Sequence, residues 1–221
     1  MVYYFKAQVD TDFETEQYNV YMGRDKVEND PLIRYSNPKN LWFHVDKVSS
    51  AHVYLSLTNQ QRLQNFKSLS LPSQLLDQLG QLTKNNSIKG NKMASVTIIY
   101  TSVDNLVSDG SMDIGTVTFK NQQLVKRFNV GKKDNLVLNK LSKTKTEMST
   151  DEFIANEKSA LVQYEREKKD HQRQLQNQQR ELAKQHHEQK QRNQDPYADL
   201  FTEENMHSNL AVSENYEDDF M

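Results

Sequence analysis

Within residues 42–54 stand an indole, two imidazoles, a carboxylate, two hydroxyls and a phenol: Trp42, His44, Asp46, Ser49, Ser50, His52 and Tyr54. Such a set has three chemistries open to it. Imidazoles and a carboxylate are metal ligands. They also carry general acid–base steps beside a serine nucleophile. Aromatic rings stack on unpaired bases, each worth about 1–3 kcal/mol, while ammonium, hydroxyl and loop N–H groups take phosphate. The spacing of His44, Asp46 and His52 fits no standard metal motif, and no nucleophile elbow surrounds Ser49 or Ser50. Metal binding and catalysis are therefore the weaker readings, no cofactor is expected, and nucleic-acid contact stays open beside them. Trp42, His44 and Tyr54 are candidates for base or sugar, Lys47, Ser49 and Ser50 for phosphate, and His52 is a further nucleic-acid-binding candidate. For Trp42 the alternative is a core position beneath the helix that begins near Pro72.

These residues need a scaffold, and period-two alternation supplies one. Leu41, Phe43 and Val45 share one face while Trp42, His44 and Asp46 share the other; Val53, Leu55 and Leu57 alternate with His52, Tyr54 and Ser56 in the same way. Two such runs joined by a short polar break at residues 47–50 predict a β-hairpin with one apolar face. Two further cationic groups sit in loops. Arg24 and Lys26 flank Asp25 in a turn after Gly23, and Lys84, Lys89 and Lys92 surround Gly90. Both are candidate phosphate contacts.

Around the hairpin, residues 2–9 and 18–22 read as strands. Asp30 and Pro31 form a helix start, with Asp as N-cap and Pro in the first position. Leu75, Leu76, Leu79 and Leu82 have helical spacing, and residues 96–100 are β-branched enough for a buried strand. Asp109-Gly110 marks a loop, and residues 116–119 and 123–130 are shorter strand candidates. Residues 1–133 thus predict an α+β domain, a compact mixed sheet with one or two packed helices. Asp134 caps a connecting helix within residues 134–148. Ser149 with Glu152 is a capping-box spacing that opens a long charged helix over residues 149–194. Ile154, Leu161, Leu175 and Leu182 keep a seven-residue register, but the positions four residues on are polar, so only one seam position recurs per heptad. The reading is a charged, coiled-coil-like helix, ended by Asp195-Pro196, and then an acidic disordered tail over 195–221 with apolar spots at Leu200-Phe201 and Phe220-Met221.

Composition agrees with one domain plus extensions. Only 35% of the 221 residues are hydrophobic, and the mean hydropathy is −0.89, too polar for a single core along the whole length. Cysteine is absent, which excludes disulfides, thiolate nucleophiles and Cys-based zinc sites and fits a reducing compartment. No apolar run approaches the roughly 20 residues of a membrane helix, so no membrane insertion is expected. The net charge of −2 conceals an asymmetry: residues 1–194 carry +6 and residues 195–221 carry −8. A basic body with an acidic tail suits a polyanion partner.

Several separated motifs resemble one family in order: residues 41–55, residues 86–93 (Asn-Ser-Ile-Lys-Gly-Asn-Lys-Met), and Ile99-Tyr100-Thr101 leading to Met112-Asp113-Ile114-Gly115. They are similar to the NFACT-R domain, most closely to its stand-alone branch, the coiled-coil domain-containing protein 25 family. The opening residues 1–5, residues 21–26 and the terminal Asp218-Asp219-Phe220-Met221 agree with that branch. The resemblance implies an RNA-binding module. Larger relatives act with tRNA and the large ribosomal subunit, but this chain lacks the amino-terminal domain and helical hairpin that accompany the domain there. DNA binding and a membrane-receptor role are proposed within the stand-alone branch, and that DNA contact maps to residues 24–28. The expectation is RNA favoured and DNA the alternative, with a ribosome or protein partner on residues 149–194. A coiled-coil scaffold is the third reading. The expected location is cytoplasmic or nuclear, with membrane association the alternative.

Overall fold

The computed structural model describes residues 1–11, 14–108 and 115–194. The Asp109-Gly110 loop and the tail from Asp195 lie outside the described residues. In chain order the elements are β1 (Val2–Asp10), β2 (Thr15–Gly23), α1 (Asn29–Tyr35), β3 (Leu41–Val45), β4 (Val53–Leu55), α2 (Asn59–Leu63) and α3 (Ser73–Asn85). There follow β5 (Val96–Ser102), β6 (Leu106–Val107), β7 (Thr118–Phe119), β8 (Lys126–Val130), α4 (Asn135–Lys143), β9 (Thr146–Met148) and α5 (Thr150–Gln194). The large sheet has the order β8-β5-β3-β4-β2-β1-β9, and β6 pairs with β7 as a separate ribbon. The expected α+β domain is there. Among the described residues its strand pairings are all antiparallel rather than mixed.

The predicted hairpin forms with Leu41 opposite Leu55, Trp42 opposite Tyr54 and Phe43 opposite Val53. On one face Leu41, Phe43, Val45, Val53 and Leu55 join Phe5, Val20 and Ile98 under α3, which contributes Leu75, Leu79 and Leu82. Gly80 sets how closely α3 lies on the sheet, since a Cβ there would stand 2.4 Å from a Val130 methyl and 2.9 Å from the Phe128 ring. Beyond the short pairing with β9, the outer edge of β1 is occupied by side chains. The Lys6, Gln8 and Asp10 N–H groups donate to Thr144, Gln78 and Gln74 at 3.0, 3.2 and 3.0 Å. This satisfies an edge that would otherwise template further strand pairing.

The second face, whose rings were expected to meet a ligand, is covered over most of its area. Tyr21, Trp42, Tyr54 and Ile99 are buried there with Val2, Leu32, Val103, Leu106, Val125 and Phe153. Tyr21 stacks on Tyr54 with centroids 5.0 Å apart, and Phe153 from the first turn of α5 closes over Tyr21 at 5.4 Å. The Tyr21 hydroxyl donates to Ser36 Oγ (2.8 Å) and accepts from Asn40 Nδ2 (3.0 Å). The segment between β5 and β8 is held over this face by Asn105, whose Nδ2 reaches Thr101 Oγ1 and the Asn121 carbonyl, each at 3.0 Å.

Helix starts follow capping chemistry with one correction. Asp134 accepts from the Leu136 and Val137 N–H groups, and Ser149 Oγ accepts from the Glu152 N–H. Thr58 and Gln61 form a capping box that opens α2, an element the sequence reading lacked. Helix α1 begins at Asn29, so Pro31 is its third residue and not its first. Its missing N–H still falls among first-turn donors that have no helical acceptor. Asp30, expected as the cap, instead accepts from the Gly115 N–H at 3.2 Å.

The described residues divide into two units, Met1–Arg166 and the remainder from Glu167. The first turns of α5 belong to the former. Among the described side chains from Glu167 onward every one is exposed, Leu182 to 64%, as a charged helix without a paired seam requires. No helix among the described residues is long and apolar enough to cross a membrane.

Phe153 is fully buried at the centre of the second face. Phe153→Ala is expected to lower the stability of the full chain by about 3–5 kcal/mol, read as a shift in urea midpoint. A loss below about 1 kcal/mol would show that α5 does not hold this face.

Candidate nucleic-acid interface

Where the cover of the second face stops, a cavity of about 630 Å³ remains. Three chain segments meet around it. The first is the turn between β2 and α1, carrying Arg24 and Lys26. The second is the connection between β3 and β4, carrying Ser49, Ser50 and His52. The third is the loop after α3, with Asn86 and Ile88 in the wall. The second and third segments are stitched together: Ser87 Oγ donates to the Ser49 carbonyl (2.6 Å), and the Ala51 N–H donates to the Asn86 carbonyl (3.1 Å). Ser50 Oγ accepts from the Val45 N–H at 3.1 Å, so this hydroxyl shapes the loop. The remaining wall comes from residues 115–119. Gly115 has φ +72°, and a Cβ there would press to 3.0 Å on Lys26 and 3.1 Å on Asn29. Glycine is thus required both by its backbone conformation and by its close approach to the Arg24–Lys26 turn.

The floor is heteroaromatic. The Trp42 and His44 rings are parallel, 5.3 Å apart, and His52 meets both edge-on at 5.2 and 5.4 Å. Phe119 adds a further edge contact to Trp42 at 5.8 Å. Burial holds the His44 pKa below the ordinary imidazole range, and burial together with His44 lowers that of His52 to about 3. Near neutral pH both rings are uncharged, so positive charge around the cavity comes from the lysines and the arginine. Among the described residues no three His, Asp or Glu side chains converge as metal ligands.

The predicted site residues are sorted by this geometry. Arg24, Lys26, Trp42, His44, Ser49, Ser50 and His52 line one cavity. Lys89 and Lys92 are exposed on the loop that supplies Asn86 and Ile88, and Lys47 is exposed on the hairpin connection, in the left-handed region at φ 61°. Two candidates are displaced. Tyr54 is fully buried against Tyr21 and offers no stacking face. Lys84 is also fully buried, and its ammonium donates to the Ala94 carbonyl (3.2 Å) and the Gly131 carbonyl. It ties the end of α3 to two loops and cannot meet phosphate. Trp42 is a core residue as well, but on the face opposite α3, so the expected position under the Pro72 helix is corrected. Sequence reasoning missed Asn29, Ile88, Gly115 and Phe119. Only the isolated Gly115 beside a strand candidate carried a local signal, that of close backbone approach.

With the geometry established, comparison with known proteins gives the class. A family model described as the NFACT protein RNA binding domain matches residues 1–121. That span is more than half of the chain and holds every residue lining the cavity. Coiled-coil domain-containing protein 25 of Mus musculus is 41% identical over 169 residues, 76% of each chain. The protein of that name from Bos taurus is 38% identical over 228 aligned positions covering all of both chains. Protein JLP2 of Saccharomyces cerevisiae is 38% identical over 150 residues, 67% of this chain and 69% of that one. The chain belongs to the NFACT-R family of RNA-binding domains, in the branch of coiled-coil domain-containing protein 25.

Two measurements check the assignments made inside the site. The folded pKa of His52 lies below its unfolded value, so between about pH 3 and 6.5 the unfolded chain binds a proton that the folded chain refuses. Stability is therefore full above pH 6.5 and falls on acidification, by up to about 1.4 kcal/mol per pH unit from this group. His52→Gln should flatten that dependence in urea titrations from pH 7 to pH 4; an unchanged slope would mean that His52 is accessible to protons. Lys84→Met should cost about 1–3 kcal/mol by leaving two carbonyls without a donor, while nucleic-acid affinity at equal folded fraction stays the same. A selective loss of affinity would return Lys84 to the interface.

Proposed function

We propose that the protein is a non-enzymatic RNA-binding module that takes RNA of the translation machinery, tRNA or ribosomal RNA, at the rim of this cavity. One observation carries the reading. Cations distant in sequence (Arg24 and Lys26, Lys47, Lys89 and Lys92) lie on the loops that build one cavity whose floor is neutral and aromatic. Phosphates meet the lysines and the arginine, which hold register without reading sequence. Exposed Ile88 and Met93 beside Lys89 and Lys92 add apolar surface to the same rim. The description of the matching family as RNA-binding supports RNA over DNA. The exposed length of α5 from Glu167 supplies a second contact, to the ribosome or a protein partner.

Binding should fall with salt. If all these cations engage a single strand, log K against log salt has a slope of about −3 to −4. Lys89→Glu/Lys92→Glu in the full chain should weaken binding at least about tenfold at low salt and reduce the slope by about 1 to 1.5. Fluorescence anisotropy with labelled tRNA, an unpaired RNA and a DNA duplex checks this. Preference for the duplex would transfer the site to DNA, and absence of binding to all three at low salt would leave the protein-interaction reading of α5.

A further inference from the structure

We propose that the cavity takes up one unstacked nucleobase, with Arg24 and Lys26 holding the adjoining phosphate. The site is then a receptacle for a nucleoside monophosphate unit of a single strand. This rests on the RNA-binding reading and gives it a mechanism of selection.

Size comes first. About 630 Å³ is within the range of small-molecule sites and far more than packing defects leave. The polar chemistry of the wall is the second argument. Trp42 and His52, 1% and 4% exposed, both line the cavity, yet Trp42 Nε1 and His52 Nδ1 are buried and make no hydrogen bond among the described residues. Buried polar atoms are nearly always paired, and an orphan indicates a missing partner or a functional role. Both atoms are fully covered, so the two orphans mark unsatisfied polarity directly behind one cavity wall, which a ligand with donors and acceptors along a flat edge reaches as the rings turn. A nucleobase has that edge, and it also has a π-face suited to the half-buried rings of His44 and Phe119. The uncharged state of both imidazoles lets the base enter without displacing a buried charge.

The third argument is polarity across the cavity. The inner wall is aromatic, while Arg24 and Lys26 stand exposed on the turn at its mouth. A nucleotide has the same polarity, with a flat neutral end and an anionic end. A base paired in a duplex cannot enter without leaving its stack, so the cavity favours unpaired strands. Phosphate contacts alone would make no such distinction.

Trp42 is the only tryptophan in the chain and forms part of the cavity, so its emission is a local reporter. The experiment titrates the full chain with adenosine 5′-monophosphate, ribose 5-phosphate, a short oligoadenylate and that strand annealed to its RNA complement. Ser49→Phe and Thr116→Phe are run alongside to fill the cavity from two sides, with thermal unfolding as the check on folding. Ser49 holds Ser87 through its carbonyl, so the side-chain change spares that contact. The expected result is quenching by adenosine monophosphate and oligoadenylate but not by ribose phosphate. The single strand should bind at least about tenfold tighter than the duplex, and each filled variant should lose about tenfold in strand affinity without a change in salt slope. Strand binding that leaves Trp42 emission unmoved and the filled variants at native affinity would overturn the base receptacle while leaving RNA binding intact. Ribose phosphate matching adenosine monophosphate would also overturn it, leaving an anion site. Quenching by adenosine monophosphate that is lost in the filled variants, with no strand bound at low salt, would support the receptacle and remove the RNA reading instead.

Discussion

A sheet this wide exposes two faces, and in this chain both must be covered. The α3 face is the simple one, because aliphatic side chains at period two meet a helix with matching leucines. The other face carries Tyr21, Trp42, Tyr54 and the two histidines, which are large rings with polar atoms. Covering it means satisfying hydroxyls and ring nitrogens along with burying area. Asn40 is central to this. Its Nδ2 donates to the Tyr21 hydroxyl, while its Oδ1 accepts from the Leu57 N–H at 3.3 Å and Arg62 Nη2 at 3.2 Å. One amide thereby joins β2, the residues after β4 and α2. Neighbouring Asn37 donates its N–H to Glu157 in α5 at 3.0 Å, so the first turns of the long helix are fastened to the same corner. Burial raises the Glu157 pKa, as a carboxylate closed under a helix should show.

The cavity follows from the same constraint. The cover formed by α1, α5 and the β5–β8 segment buries the stacked Tyr21 and Tyr54 rings and stops short of His44, which remains half-buried. A region partly roofed by aromatic rings and excluded from full solvation cannot hold charged imidazoles cheaply, and both histidines are accordingly neutral. Charge is pushed outward to the turns, where lysine and arginine keep their hydration. An aromatic floor inside a cationic rim is thus what remains when a ring-rich sheet face is incompletely covered in a basic domain.

Much of this was legible in the sequence and some was not, for identifiable reasons. Period two placed the hairpin and its two faces correctly because both strands are regular. It could not say what covers the second face, since Phe153 approaches Tyr21 from more than a hundred residues away and leaves no local trace. Lys84 read as a loop cation because lysines are almost always solvated. Only the convergence of the Ala94 and Gly131 carbonyls makes its burial tolerable, and that convergence is tertiary. The capping box at Thr58 and Gln61 was present in the sequence, but α2 is five residues long and shows no apolar period. The cavity itself is set by three loops meeting, and loop conformation is what composition specifies least. Gly115 was the one local sign of it.

The long helix has to be understood in the same terms. Its charged composition suggests a spacer that could be removed without harm to the domain. Phe153 fully buried, Glu157 bonded to Asn37 and Tyr164 buried argue otherwise for its first turns. Cutting the chain ahead of Thr150 would uncover Tyr21 and Tyr54 and leave the Asn37 N–H without its acceptor, a loss comparable to a good fraction of a small domain's stability of about 5–15 kcal/mol. A fragment ending there would lose binding by unfolding, and that loss would be mistaken for a role of the helix in recognition. The helix therefore serves two physical ends: its opening turns are core, and only from Glu167 onward do its side chains face solvent throughout the described length. Any partner contact made by the helix alone must be sought on that second stretch.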